Sequence, residues 1–365
     1  MRRALRLAAR ARGRTSPNPM VGAVIVNQGR IVAEGWHRGA GKPHAEVLAL
    51  QSAGQEAHGA TLYVTLEPCC HWGRTPPCVD AVIAAGIRKV VAGVVDPDQR
   101  VSGNGGEKLR AAGIEVEFGV LEQEAARLIE AHRKYVTTRR PFVTVKLACS
   151  LDGKIATASG QSQWITGEKA RRFAHRLRAE SDAVMVGAGT VLADDPLLTA
   201  RLVRSKRQPL RIVVDGAASI PSDARVLQAA SSPAMVVVGA SASEKAEGLR
   251  TSGAEVLCLP DAQGRVDLGS VLDELGRREL TTLLVEGGAR LVASLVEERL
   301  VDKFIFMLAP MLIGGTNSPG AIAGAGADSL EDAIRLRDVS VRRLGEDIVV
   351  EGYPSYQEPT RKSKA

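Results

Sequence analysis

The chain has 365 residues, enough for two domains, and is 45% hydrophobic but only 3% aromatic, which suits an Ala/Val/Leu-rich α/β core. Its formal net charge is +7, yet the arginines are spread out (Arg2, Arg3, Arg6, Arg10, Arg12 and Arg14, then Arg171, Arg172, Arg176 and Arg178, then Arg342 and Arg343) and rings for base stacking are scarce, so solvated faces and anionic small-substrate sites fit better than a nucleic-acid groove. No uninterrupted apolar run approaches the roughly 20 residues of a membrane span and no apolar segment follows the basic N-terminus, which argues against membrane insertion and secretion.

In chain order, residues 4–11 read as a short helix that Thr15-Ser16-Pro17-Asn18-Pro19 breaks. Strands follow over 21–26 and 31–34, joined by a turn at Asn27-Gln28-Gly29. Residues 44–57 read as a helix with Val47, Leu48 and Leu50 inward. A strand over 62–66 leads to Pro68-Cys69, then come a helix over 78–85, a strand over 90–95, a helix over 108–112, a strand over 114–116 and a helix over 122–135. Helix–strand alternation of this kind makes an α/β sandwich. We place a domain boundary at Thr137-Thr138-Arg139-Arg140-Pro141, giving domains over 1–140 and 141–355 and a polar, disordered tail from 356 to 365. After the boundary, strands are predicted over 142–148, 183–186, 210–214, 235–238, 255–259, 282–285, 303–312 and 348–351, and helices over 168–180, 268–277 and 289–298.

The chemistry concentrates in His44-Ala45-Glu46 and in Glu67-Pro68-Cys69-Cys70-His71-Trp72-Gly73-Arg74-Thr75-Pro76-Pro77-Cys78. His44, Cys69 and Cys78 are good Zn²⁺ ligands, and Glu46 is placed to move protons without binding the ion. The compact form of this signature is H-x-E followed by P-C-x-x-C. Here the second Cys arrives late, so the insert reads as a substrate loop. A structural zinc site closed by Cys70 or His71 is the alternative, against which Glu46 weighs. Both ligand segments open helices, whose N-termini favour thiolate. Cys149 and Cys258 lie in apolar runs, so the five Cys point to a reduced, cytoplasmic protein rather than a disulfide scaffold. Asn18 reads equally as an amide for a pyrimidine edge or as a turn former, and His37 and Lys42 as phosphate contacts or solvated groups. The second half lacks G-x-G-x-x-G. It has glycine-rich strand ends at Gly187-Ala188-Gly189-Thr190 and Glu286-Gly287-Gly288, where backbone N–H groups can cradle a phosphate or simply turn the chain.

These stretches together are specific. Thr15 to Gly22, Gly35-Trp36-His37 leading to His44-Ala45-Glu46-Val47, and Glu67-Pro68-Cys69 to Cys78 resemble the bifunctional deaminase-reductases of riboflavin biosynthesis. The resemblance continues through Lys146 to Lys154, Ser162-Gln163-Trp164-Ile165-Thr166, Val191 to Leu198 and Val285-Glu286-Gly287-Gly288, and so covers nearly the whole chain. It implies a cytidine-deaminase-like α/β/α domain followed by a dihydrofolate-reductase-like α/β domain, whose NADPH site needs no Rossmann fingerprint. It implies one zinc on His44, Cys69 and Cys78, with Glu46 as proton shuttle. Asn18, Ser162, Arg178, Leu198, Arg201 and Glu286 are expected to line the substrate. Ala148, Trp164, Thr190, Asp194, Gly216, Gly288, Ala289, Arg290, Leu291, Val292, Ala293 and Ser294 are expected to line NADPH. Arg178 and Arg201 suit a ribose phosphate, which a guanidinium meets with two hydrogen bonds. Lys154 could assist opening of the sugar or only position it. Two departures stand out: Cys70 and Gly216, each where Ser is expected. The implied substrate is a free diaminopyrimidinone ribosyl phosphate, deaminated first and then reduced at the ribosyl group; no nucleic-acid or membrane partner is expected, and a homo-oligomer is. A nucleic-acid base deaminase and a binding protein with a structural zinc are the rival readings.

Overall fold

The computed structural model describes residues 1–205, 207–228, 232–242 and 245–356, which leaves residues 357–365 of the expected tail outside the described chain. Ser355 still belongs to a strand, and the Tyr356 hydroxyl donates to the Val301 carbonyl at 3.1 Å. The chain forms two compact units, Met1–Pro141 with Leu275–Thr281, and Phe142–Glu274 with Thr282–Ala365. Both are mixed α/β. Among the described residues no helix is long and apolar enough to cross a membrane.

The first unit runs α1 (Arg2–Ala8), β1 (Gly22–Asn27), β2 (Arg30–Trp36), α2 (Ala45–Ala53), β3 (Thr61–Leu66), α3 (Cys78–Ala84), β4 (Lys89–Val94), α4 (Asn104–Ala111), β5 (Glu115–Phe118), α5 (Glu122–Leu128) and α6 (Glu130–Thr138). Its sheet has the order β2-β1-β3-β4-β5, with β1 antiparallel to both neighbours and β3, β4 and β5 parallel. The β1–β2 hairpin closes where expected: Asn27 pairs with Arg30, and Gln28 and Gly29 both take positive φ, which matches the twist of a hairpin. α2 lies against β2 so closely that a Cβ on Gly35 would sit 2.2 Å from the Ala45 carbonyl oxygen. That approach puts the small Ala45, Ala49 and Ala53 in the core with Leu50, whereas Val47 and Leu48, expected to point inward, are only half-buried. The expected single helix over 122–135 is broken at Ile129, a buried residue with φ −109° that caps α5 and starts α6.

The second unit contains β6 (Phe142–Ser150), α7 (Glu168–Glu180), β7 (Ala183–Gly187), α8 (Ala188–Asp194), β8 (Leu210–Val214), α9 (Arg225–Gln228), β9 (Ala234–Val238), α10 (Glu247–Thr251), β10 (Glu255–Cys258), α11 (Leu268–Arg277), β11 (Thr282–Glu286), α12 (Ala289–Glu297), β12 (Lys303–Ala309), β13 (Arg335–Leu344) and β14 (Asp347–Ser355). Leu275 to Arg277 of α11 count with the first unit. The nine-stranded sheet runs β10-β9-β8-β7-β11-β6-β12-β14-β13, parallel from β10 to β12 and antiparallel thereafter. Parallel strands covered on both faces read as unbroken apolar runs, as in the wholly buried β9. β13 escapes the sequence reading because it is an arginine-rich edge strand, largely exposed.

Candidate active sites

The first site forms at the end of β3. Glu67 follows the strand and is buried; the backbone N–H groups of Asp96, Gly103 and Gly106 donate to its carboxylate at 3.1, 2.9 and 3.0 Å. These bonds tie three segments around Pro68-Cys69. Sequence reasoning gave Glu67 no role, since nothing in a motif marks a carboxylate that only collects backbone donors. Cys78 opens α3, and its N–H donates to Cys69 Sγ at 3.3 Å. His44 caps α2 in an extended conformation. Its Nδ1 lies 3.0 Å from Cys78 Sγ and 3.5 Å from Cys69 Sγ, and one ligand atom from each of the three residues falls within 4.8 Å of the others. The Thr75 hydroxyl stands 3.0 Å from the other ring nitrogen, Nε2. Hydrogen bonds from Cys78 and His44 outweigh burial and hold the Cys69 thiol down at about 4, while Cys69 and burial drive the Cys78 thiol up.

Glu46 lies in the first turn of α2, 3% exposed, and its Oε2 has no hydrogen-bond partner. Burial pushes its carboxyl up to about 7. A soft three-ligand set beside an orphaned carboxylate oxygen fits a catalytic zinc, which keeps a position open for water. Cys70 turns away, its Sγ toward the Arg100 carbonyl at 3.8 Å, and neither it nor His71 joins the cluster. Asn18 and His37 lie next to the centre. The His37 ring meets that of His44 edge-on with centroids 5.2 Å apart. His37 Nδ1 donates to the Pro43 carbonyl at 3.2 Å, which leaves Nε2 to accept from the Asn18 amide at 3.1 Å. Lys42 is exposed. Arg74, on the loop between the cysteines, donates to both oxygens of Glu279 at 2.8 and 2.6 Å.

The second site is a cleft of about 1710 Å³ in the second unit, opening at the carboxyl ends of β7, β8 and β11, where parallel α/β sheets bind their ligands. Ala148, Ser162, Trp164, Arg178, Thr190, Asp194, Leu198, Arg201, Gly216, Glu286, Gly288, Ala289, Arg290, Leu291 and Ser294 all line it. Val292 and Ala293 do not: they are buried on the core side of α12. Gly287 and Gly288 take φ of +66° and +78°, a backbone that side chains rarely adopt, and a Cβ on Gly288 would press on Thr190 Oγ1 at 3.3 Å. The N-terminus of α12 can therefore come close to a bound phosphate. Ser162 donates to Asp194 at 2.5 Å, and the exposed Trp164 ring carries the Arg171 guanidinium 4.9 Å from its centroid.

The arginines divide. Arg178 is partly buried and forks onto both oxygens of Glu286 at 2.5 and 3.0 Å, with Lys146 3.5 Å from the same carboxylate. Burial opposes the Glu286 charge, but Arg178 and Lys146 outweigh it and hold the carboxyl at about 2. Arg201 is exposed at the cleft; burial, then the charges of Arg178 and Arg225, push its pKa down, which marks an electropositive wall. Its backbone N–H donates to Nδ1 of the buried His175 at 3.1 Å. Lys146, His175 and Arg225 line the cleft, yet the sequence reading assigned them nothing; a lone His on a helix carries no signal until its partner is known. Lys154 is engaged elsewhere, its Nζ donating to the Ser318 carbonyl at 2.9 Å.

Comparison with known proteins matches a family to each half of the chain. The cytidine and deoxycytidylate deaminase zinc-binding region matches residues 1–94, and the RibD C-terminal domain matches residues 141–350. The riboflavin biosynthesis protein RibD of Aquifex aeolicus is 47% identical over 350 residues, 96% of each chain. That of Escherichia coli K12 is 42% identical over 360 residues, 95% of this chain and 96% of its own. Among solved structures, a diaminohydroxyphosphoribosylaminopyrimidine deaminase/5-amino-6-(5-phosphoribosylamino)uracil reductase from Thermotoga maritima superposes with a TM-score of 0.84 at 39% identity, and Acinetobacter baumannii RibD with 0.84 at 37%, each covering 97% of both chains. The chain belongs to the RibD family, the riboflavin-biosynthesis proteins that join a zinc-binding deaminase domain to a reductase domain.

Proposed function

We propose that the first unit hydrolytically deaminates 2,5-diamino-6-ribosylamino-4(3H)-pyrimidinone 5′-phosphate, and that the second reduces the ribosyl group of the product with NADPH to give 5-amino-6-ribitylaminouracil 5′-phosphate. The observation that carries this reading is the pairing, in one chain, of the His44–Cys69–Cys78 cluster beside the buried Glu46 with a separate cleft lined by Arg201, Glu286 and the Gly287-Gly288 turn.

In the first site, His44, Cys69 and Cys78 would hold zinc, which when bound supplies the Lewis acidity that lets water attack at neutral pH. Glu46 takes a proton from the attacking water at Oε2 and returns it to the departing amine; a carboxyl near 7 suits both steps. Asn18, fixed by His37, offers its amide to the pyrimidine edge. In the second site NADPH, when bound, supplies the reducing equivalent. The turn at Gly287-Gly288 and the first turn of α12, with Ala148, Trp164, Thr190, Asp194 and Gly216, hold the cofactor; Val292 and Ala293 contribute by packing the helix rather than by contact. Gly216 leaves only a backbone contact where a hydroxyl was expected. Ser162, Leu198 and Arg201 orient the substrate beside Glu286, and Arg178 keeps that carboxylate charged. This reading makes the protein a cytoplasmic homo-oligomer acting on a free small molecule rather than on nucleic acid.

The test follows ammonia release and NADPH absorbance together, in wild type and Glu46→Gln. Ammonia should appear first and NADPH consumption follow it. Glu46→Gln should lose both signals, by at least about 100-fold for the ammonia, and regain reduction when given the deaminated intermediate. Ammonia without NADPH loss would remove the reductase half of the reading.

A further inference from the structure

Eight residues, 70–77, separate the two cysteine ligands, where the compact form of the signature has two. One of them turns back onto the centre. Thr75 Oγ1 lies 3.0 Å from His44 Nε2, while Nδ1 of the same ring faces Cys78 Sγ at 3.0 Å and Cys69 Sγ at 3.5 Å. The ring thus has one nitrogen for the ion and the other for a hydroxyl. A neutral imidazole that ligates through Nδ1 carries its proton on Nε2, and that proton needs an acceptor; the acceptor fixes both the tautomer and the plane of the ring. The loop is built to hold the acceptor in place. The Gly73 N–H donates to the Thr75 carbonyl at 3.2 Å, and Pro76-Pro77, with φ restricted, run straight from Thr75 into Cys78 at the start of α3. The residues that lengthen the spacing therefore bring with them a partner for the histidine ligand.

We propose that Thr75 is a positioning residue of the metal centre, accepting the His44 Nε2 proton and so setting how tightly the deaminase unit holds zinc. This rests on the zinc-deaminase reading above. The test measures Zn²⁺ affinity of the full chain by competition with a chromophoric chelator, and the visible absorption of the Co²⁺-loaded protein, in Thr75→Val, Thr75→Ser and His44→Ala. Thr75→Val keeps the side-chain shape and removes the acceptor. It should weaken Zn²⁺ binding about 10- to 100-fold and shift the Co²⁺ bands, while reduction of the deaminated intermediate stays at the wild-type rate. Thr75→Ser should restore affinity to within about threefold of wild type. The proposal is overturned if Thr75→Val binds Zn²⁺ within twofold of wild type, or if Thr75→Ser is as weak as Thr75→Val. If His44→Ala also retains Zn²⁺, it is the zinc reading itself that fails.

Discussion

Burial acts on two carboxylates, one in each site, with opposite results. Glu46 is buried with one oxygen unpartnered and is pushed up to about 7, which prepares it to exchange protons. Glu286 is as deeply buried, but Arg178 and Lys146 reverse the effect and hold it at about 2. Because the folded value of Glu286 lies below the unfolded one of about 4.5, the pair contributes stability that is present above about pH 4.5 and is lost as pH falls toward 2. The shift corresponds to about 3 kcal/mol at neutral pH and roughly half of that at pH 3. Glu286→Gln should therefore cost a few kcal/mol in urea unfolding at pH 7, since it leaves the partly buried Arg178 charge without its carboxylate, with a gap to wild type that narrows at pH 3; a gap of equal size at both pH values would show that the charge is not the cause. His175 acts through geometry instead. It is held neutral, down at about 4, by burial and then by Arg178 and Arg201, so Nδ1 stays free to accept the Arg201 N–H. His175→Leu should raise the reductase KM several-fold with little change in kcat, and His175→Asn, which keeps an acceptor, should recover most of it; a fall in kcat alone would place His175 elsewhere in the reaction.

Two of the helices that reach the sites, α2 and α12, do so past glycine. α2 delivers His44 and Glu46 because Gly35 leaves no side chain between it and β2. Gly35→Ala would place a Cβ 2.2 Å from the Ala45 carbonyl oxygen and 2.8 Å from the Ala49 nitrogen. It should destabilise the fold by about 1–3 kcal/mol or more and lower zinc content, whereas Gly29→Ala, on an exposed hairpin turn with open space around the Cβ, should leave zinc content unchanged. Metal analysis of the two purified variants decides the matter. Such contacts are invisible in the sequence, where Gly35 and Gly29 look alike. What the sequence does reveal is chemistry that must be spelled in side chains: His44, Glu46, Cys69 and Cys78 are legible because few other arrangements use those residue types in that order. Continuous apolar strands such as β9 are legible for the same kind of reason. α8 and the start of α4 are not, since Gly189 and Gly105-Gly106 are poor helix formers, and β13 is not, because its charges belong to an edge.

At the scale of the molecule, chain order and spatial grouping part company at Leu275–Thr281, which folds with the first unit although the residues on either side fold with the second. Close packing ties this segment in. A Cβ on Gly276 would lie 1.8 Å from the Arg139 carbonyl oxygen, the Tyr135 hydroxyl donates to the Gly276 carbonyl at 3.4 Å, and the Ser16 and Thr281 hydroxyls are 3.0 Å apart. The same segment carries Glu279, the partner of Arg74 on the loop between the two zinc cysteines. No motif marks these residues, so sequence reasoning had no means of moving them out of the reductase half. The grouping has a consequence for the two activities. Gly276→Ala forces the backbone of the segment away from Arg139, and with it the support of α6 and the anchor of the zinc-site loop. It should lower the thermal unfolding temperature by several degrees, as overpacking of about 1–3 kcal/mol would in a chain of this size. Ammonia release should fall more than NADPH-dependent reduction of supplied deaminated intermediate, even though residue 276 sits within the reductase stretch of the sequence. Running both assays on the one variant separates the possibilities: a reductase that fails first would mean that the segment serves the second unit, and equal losses would mean that the two units unfold as one.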